Sequence, residues 1–256
     1  MTFCLGIKVS EGLVGIADTR ITSGSELITA SKMALFENGC NSFFIMTSGL
    51  RSVRDKAITY FEDLMAEAEE PFNRLYKAVN AFADQIRRVA EEDRQALEES
   101  KLAFNIHALV GGQMADDDEH KLFLIYPQGN WVEIQTETPF HIIGQSGYGK
   151  PVLDRTLKYT DSMAFALKVG CLAFDSTRIS AADVDFPLDV VVYPKGSYQA
   201  VEHRFVAADL ADISTWWQDH LRELVRELPE EWVKNIMGRL SHNERRRIIQ
   251  KGAKCP

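Results

Sequence analysis

At 256 residues, 45% hydrophobic and 26% charged, the chain suits a soluble globular protein of one large domain or one domain with an appendage. A formal net charge of −8 argues against a general nucleic-acid binder. Cys4, Cys40, Cys171 and Cys255 lie far apart without a CxxC pair, which fits neither a zinc knuckle nor a disulfide framework and suits reduced thiols in a cytoplasm.

The chain starts with strand alternation in place of a basic-then-apolar signal segment. Phe3, Leu5, Ile7 and Val9 share one face; Thr2, Cys4, Gly6 and Lys8 share the other. Chain ends ordinarily fray, so a terminus built into a sheet calls for a reason. Residues 2–9 and 13–18 form two predicted strands around a tight turn at Ser10-Glu11-Gly12. Further strands are expected at 26–36 and 42–48. Val53, Ala57, Tyr60, Phe61, Leu64 and Met65 then fall on one helical face that Glu69-Glu70-Pro71 ends. Phe72, Leu75, Val79, Phe82, Ile86 and Val89 predict a second helix starting at once. The two make an antiparallel hairpin able to cover a sheet.

Strands resume at 103–111, 121–126 and 131–143, with the acidic stretch Asp116-Asp117-Asp118-Glu119 as a solvated turn. Helices follow at 148–158 and 161–174. The second is apolar almost all round and is expected to be buried between layers. Strands near 186–193 and 199–206 complete the series. From about residue 210 the chain is helical, with an apolar stripe at Trp216, Trp217, Leu221, Leu224 and Leu228. Pro229 suits the first turn of another helix, and Ser241 with Glu244 a capping box. Arg245-Arg246-Arg247 is read as a solvated or subunit-contact face. No apolar run reaches the length of a membrane span. The order of elements implies an α+β protein, a four-layer αββα sandwich with extra C-terminal helices. The expected domains are 1–208 and a helical extension at 209–256.

Three features converge on the first hairpin. Removal of Met1 leaves Thr2 with a hydroxyl nucleophile and an α-amine base on one residue. The amine's reference pKa of about 8 suits proton transfer near neutral pH. Asp18 ends the second strand, beside the start of the first. Lys32 completes a charged cluster that favours ionisation of the nearby hydroxyl.

Thr2, Asp18 and Lys32 resemble the threonine–aspartate–lysine set of proteasome β-type subunits, the N-terminal nucleophile hydrolases. Thr47-Ser48-Gly49-Leu50 resembles the family's oxyanion loop, which implies that the Gly49 N–H binds the oxyanion. Thr22 and Thr47 correspond to substrate-binding positions, Thr22 by strand addition. The absence of an extension before Thr2 is similar to β-type rather than α-type subunits. Within the superfamily, Cys4-Leu5-Gly6, Ala17-Asp18-Thr19-Arg20, the run 148–155 and the run 187–193 are most similar to the bacterial Anbu branch. Two positions depart from the family's pattern. Its glycine-serine-glycine appears here as Gly144-Gln145-Ser146-Gly147, which makes Ser146 the supporting hydroxyl. Its Asp-x-x-Ser appears as Asp175-Ser176-Thr177-Arg178, which carries over Asp175 but not the second serine.

The resemblance implies peptide-bond cleavage through an acyl-enzyme, with peptide or protein substrates. It also implies a homo-oligomer, as a ring or open spiral, with no metal or organic cofactor, no nucleic acid and no membrane. A small-amide hydrolase on the same scaffold and an assembled subunit of little activity are the alternatives. Substrate pockets are expected from residues 20–35 and 45–54. The six histidines lack metal-ligand spacing and read as structural. An ATP-dependent unfoldase partner is left open by the sequence.

Overall fold

The computed structural model describes residues 2–23, 26–68 and 72–240. β1 (Phe3–Val9) and β2 (Gly12–Asp18) pair antiparallel as the alternation predicts. β10 (Phe140–Gly144) borders β1, while β11 (Leu188–Pro194) borders β2 and carries β12 (Val201–Phe205) at the edge. β1 and β2 therefore lie inside a five-stranded sheet, and every residue of both is buried. The second sheet runs β5 (Met33–Asn38), β6 (Asn41–Gly49), β7 (Ile106–Gln113), β8 (Lys121–Ile125) and β9 (Trp131–Glu133). A separate hairpin, β3 (Arg20–Ser23) with β4 (Glu26–Thr29), links the two sheets along the chain.

α1 (Arg51–Glu67) and α2 (Leu75–Glu99) cover the second sheet; α3 (Lys150–Thr156) and α4 (Met163–Ser180) belong to the first. Three apolar layers hold this four-layer αββα sandwich together, and burial of apolar surface is their driving force. Phe3, Leu5, Ile7 and Val9 pack on the helix side with Ala166 and Phe174 of α4. Phe43, Ile45 and Val110 pack under Val53, Phe61, Val79 and Phe82 of the helical hairpin. Cys4, Ala17, Phe44, Met46, Leu109 and Leu122 fill the space between the sheets. Thr2 shares the parity of Cys4, so the first hairpin's alternation also decides which side of the sheet receives the candidate nucleophile.

Several elements depart from the sequence reading. The strand expected at 26–36 is two strands in different sheets, with Lys32 in the gap between them. The run expected at 131–143 likewise splits into β9 and β10, one in each sheet. Pro139, which has no N–H to give a ladder, sits just before β10. α2 begins three residues later than expected, and Glu69, Glu70 and Pro71 lie outside the described residues.

The acidic stretch is not wholly a solvated turn. Asp117 is 8% exposed, and its carboxylate accepts hydrogen bonds from the backbone N–H of Leu75 (2.9 Å) and Met114 (3.0 Å). Leu75 opens α2, so Asp117 meets an orphan donor and the positive end of that helix's dipole from a distant loop. α4 is buried on one face only, since Phe165 and Ile179 are 41% and 55% exposed.

Contacts divide the chain into two compact units, Met1–Ala211 and Asp212–Pro256. The second contains most of α5 (Ala211–Arg226) and a helical segment at 231–240. Pro229 lies two residues before that segment instead of in its first turn. Trp216, Leu221, Leu224, Leu228 and Trp232 are exposed. The expected capping box at Ser241 and the arginines 245–247 lie outside the described residues. Among the described residues no helix is long and apolar enough to cross a membrane, and no His, Cys, Asp and Glu cluster could hold a metal ion.

Candidate active site

Thr2 immediately precedes β1, at the rim of the inter-sheet space, and is 9% exposed. Its backbone is fixed from both sides. The Gln145 N–H donates to the Thr2 carbonyl oxygen at 2.7 Å, and the next residue, Phe3, donates its N–H to Asp18 Oδ1 at 2.8 Å. Gly144 approaches so closely that a Cβ there would collide with the Thr2 carbonyl. Its φ of +92° also disfavours any residue with a side chain. This position thus requires glycine twice over.

Asp18 ends β2 with no exposed surface, one register step beyond the Cys4–Ala17 pair. Lys32 reaches it across the gap between β4 and β5. Its ammonium donates to Asp18 Oδ1 and to the Arg20 carbonyl, both at 2.7 Å. An ammonium can only donate, so two fixed acceptors define its position. Burial pushes the Asp18 carboxyl above its ordinary value, while the charge and hydrogen bond of Lys32 and the Phe3 N–H pull it down. Asp18 Oδ2 is buried with no hydrogen-bond partner.

A cleft of about 770 Å³ opens beside these groups. Thr2, Lys32, Thr47 and Gly49 all line it. Thr47 is held on β6, where its N–H donates to the Lys32 carbonyl at 3.0 Å. Gly49 ends the same strand at φ +130°, and a Cβ there would strike the Asn105 carbonyl. Leu50 then donates to that carbonyl at 2.9 Å, which turns the chain from β6 into α1. Thr22 lies on β3, paired with Leu27 of β4, next to cleft residues Arg20 and Ile21.

The two remaining sequence-derived positions are not in the cleft lining. Ser146 is exposed in the loop before α3, and its carbonyl accepts from Lys150 N–H at 3.0 Å. Asp175 lies buried on α4, where Arg178 Nε and Nη2 bond its Oδ1 at 2.9 and 2.7 Å. Its Oδ2 has no hydrogen-bond partner. Gly149 packs on Ala173 and Thr177, so the loop carrying Ser146 meets α4 at the turn that holds Asp175.

Cys4, a thiol two residues from Thr2, is fully buried with Sγ 3.6 Å from the Thr47 carbonyl. Burial pushes its thiol up, so it stays protonated and does not compete as a nucleophile. His107 lines the cleft as well, and burial lowers its pKa, which leaves a neutral imidazole at neutral pH. Sequence reasoning missed His107, for which the sequence carries no signal, and quoted Gly144 only as part of the run 144–147. Arg20, Arg51 and Arg54 fall inside the two segments expected to form the pocket, 20–35 and 45–54, without being singled out there.

No protein-family model matches the chain, and no curated sequence matches it either. Solved structures do. Anbu (ancestral β-subunit) from Yersinia bercovieri aligns with a TM-score of 0.82 at 28% identity, over 89% of this chain and 98% of that one. An Anbu (Gly-1) mutant from Hyphomicrobium sp. strain MC1 aligns at 0.82 and 27% identity, over 89% and 99%. The Anbu complex from Pseudomonas aeruginosa, solved as a helical assembly, aligns at 0.83 and 28%, over 89% and 97%. With its four-layer sandwich, the chain has the proteasome-like N-terminal nucleophile hydrolase fold, and its structural resemblance is to the Anbu proteins.

Proposed function

We propose that the protein is a threonine-type amide hydrolase that cleaves peptide bonds with Thr2 as nucleophile, once Met1 is removed. The observation that carries this reading is the meeting of Thr2, the dry Asp18–Lys32 pair and Gly49 at one cleft. Thr2 Oγ1 attacks the substrate carbonyl while the Thr2 α-amine takes the hydroxyl proton, directly or through one water. Lys32 supplies positive charge that favours the alkoxide-like nucleophile, and Asp18 holds that ammonium in place. The Gly49 N–H receives the oxyanion of the tetrahedral intermediate. The amine returns its proton to the leaving nitrogen, and water then hydrolyses the acyl-enzyme. Ser146 and Asp175, which lie outside the cleft lining, enter this proposal on the sequence resemblance alone.

Homo-oligomerisation is part of the proposal. The Pseudomonas aeruginosa Anbu complex forms a helical assembly, and the exposed apolar residues of the second unit suit subunit contacts.

The test is intact-mass spectrometry of the purified protein with and without a threonine-directed epoxyketone or β-lactone. The reading requires loss of Met1 and a single adduct that maps to Thr2. A chain that keeps Met1 and takes no adduct sinks it.

A further inference from the structure

The cleft beside Thr2 carries a charge pattern that the bond-breaking chemistry does not need. Arg20, Lys32, Arg51 and Arg54 line it, and among the described residues no carboxylate does. The chain as a whole has a net charge of −8, so this concentration of cations runs against the composition. Lys32 is committed to Asp18. The three arginines are not fully committed.

Arg54 stands in the first turn of α1 and is only 9% exposed. Its two side-chain hydrogen bonds, from Nε at 2.8 Å and Nη2 at 2.6 Å, both go to Asp55 Oδ1. Nη1 has no hydrogen-bond partner among the described residues. Arg51 shares the same Asp55, through its other oxygen, at 3.1 Å. One carboxylate therefore serves two guanidinium groups. Asp55 itself is 49% exposed in its side chain and lines a neighbouring cavity, not this one. Arg20 meets Asp185, which is 43% exposed, and its Nε is buried without a partner. The counter-charges thus stand outside the cleft and partly in water, with unsatisfied guanidinium donors left on the residues that line it. Guanidinium groups bind carboxylates with planar, charge-assisted hydrogen bonds, and more strongly where water is excluded.

We infer that the cleft selects substrates whose acyl residue carries a carboxylate side chain, aspartyl or glutamyl, with Arg54 as the principal specificity residue and Arg51 assisting at the rim. The inference rests on the Thr2 reading above and adds the substrate class to it. An uncharged amide of the same shape offers the remaining Arg54 donor no charge-assisted hydrogen bond, with only the shared Asp55 as its anion, and a lysyl residue meets like charge.

The experiment compares peptide epoxyketones that differ only in the residue bearing the warhead: Glu, its isostere Gln, Leu and Lys. The readout is the second-order rate of Thr2 modification by intact mass. The Glu probe is expected to react at least about tenfold faster than the Gln probe, the order of discrimination that one close charge pair supplies. That ratio should shrink as salt is added, since screening weakens a charge contact more than a steric one. In Arg54→Met the ratio should collapse towards one. Arg51→Met, at a half-exposed position, should reduce it less, and serves if the Arg54 variant fails to fold. Gln or Leu probes that label Thr2 as fast as Glu overturn the inference and leave the nucleophile standing. Failure of every probe to label Thr2 removes the nucleophile reading, and the inference with it.

Discussion

Two buried lysines sit at different places in the sandwich, and their surroundings separate a candidate catalytic pair from a structural one. Lys8 is 2% exposed and Lys32 is 4% exposed, so burial alone does not distinguish them. Lys8 lies near the end of β1 far from Thr2, and it meets Glu119 at 3.3 Å and Glu133 at 3.6 Å. Those carboxylates are 41% and 27% exposed. Lys32 meets Asp18 at 2.7 Å, and the Asp18 side chain has no exposed surface. Removing Lys8 leaves two glutamates that water can reach. Removing Lys32, the member of the pair that lines the cleft, leaves a fully buried carboxylate with no ammonium beside it. A buried charge pair does not by itself stabilise a fold, because desolvation offsets the attraction. A dry pair kept beside a nucleophile therefore asks for a chemical reason, while the Lys8 cluster needs none.

The largest effect should come from the group that the dry pair serves. Thr2→Ala should lower peptide hydrolysis by about 10⁴-fold or more, as loss of a covalent nucleophile does, with assembly and thermal melting unchanged. Full activity in that variant, measured on any peptide the parent cleaves, would end the mechanism. Lys32→Met comes next and separates the two lysines directly. It should cut turnover by about 10²-fold or more through loss of the fixed positive charge. It should also destabilise the fold by about 3–5 kcal/mol, because Asp18 is left buried and unpaired. Urea denaturation reads the second number, and adding Asp18→Asn should recover part of it without restoring turnover. Lys8→Met should do neither: turnover unchanged and stability within about 1 kcal/mol of the parent, since its partners regain water. A Lys8→Met protein as damaged as Lys32→Met would mean that the contrast between the two ends is false.

The same contrast shows which parts of the site the sequence carries. Thr2 and Asp18 were readable because they depend on local rules. Strand parity places Thr2 with Cys4 on the inter-sheet face, and a tight hairpin brings residue 18 beside residue 2. The helical hairpin was readable from its period, and the two helices lie where the apolar spacing puts them, within a turn at each start. What stayed hidden depends on contacts between distant segments. Asp117 looks like one acid among four until its loop meets the start of α2, 42 positions earlier in the chain. Arg54 falls in a segment expected to form the pocket, but nothing in the helix periodicity sets it apart from its neighbours until the cleft encloses it. The run 131–143 looks like one strand, because nothing in its alternation says that its halves join different sheets. Periodicity reports which face is apolar, and is silent on which neighbour that face will meet.

The smallest effect belongs to the Lys8 end and concerns pH. His120 has no exposed surface, and its Nε2 lies 2.8 Å from the Val9 carbonyl, to which it donates; Nδ1 is buried without a partner. Burial holds the imidazole below its ordinary pKa of 6.5; the Val9 carbonyl and Glu119 oppose this, while Lys8 and Lys195 add to it. The folded chain therefore binds this proton less readily than the unfolded chain. Its contribution to stability is complete above the unfolded value and is lost as pH falls through the folded one. The urea midpoint should drop as pH falls from about 7.5 to about 5, and His120→Gln should flatten that drop while lowering the midpoint at neutral pH. Lys8→Met should flatten it partway, because one of the charges that repels the second proton is gone. Lys32→Met should leave this slope as it was, since Lys32 is not among the charges that act on His120. Equal slopes in the parent and in His120→Gln would show that the imidazole does not titrate with folding. The Lys8 end would then be set apart by its hydrated carboxylates alone.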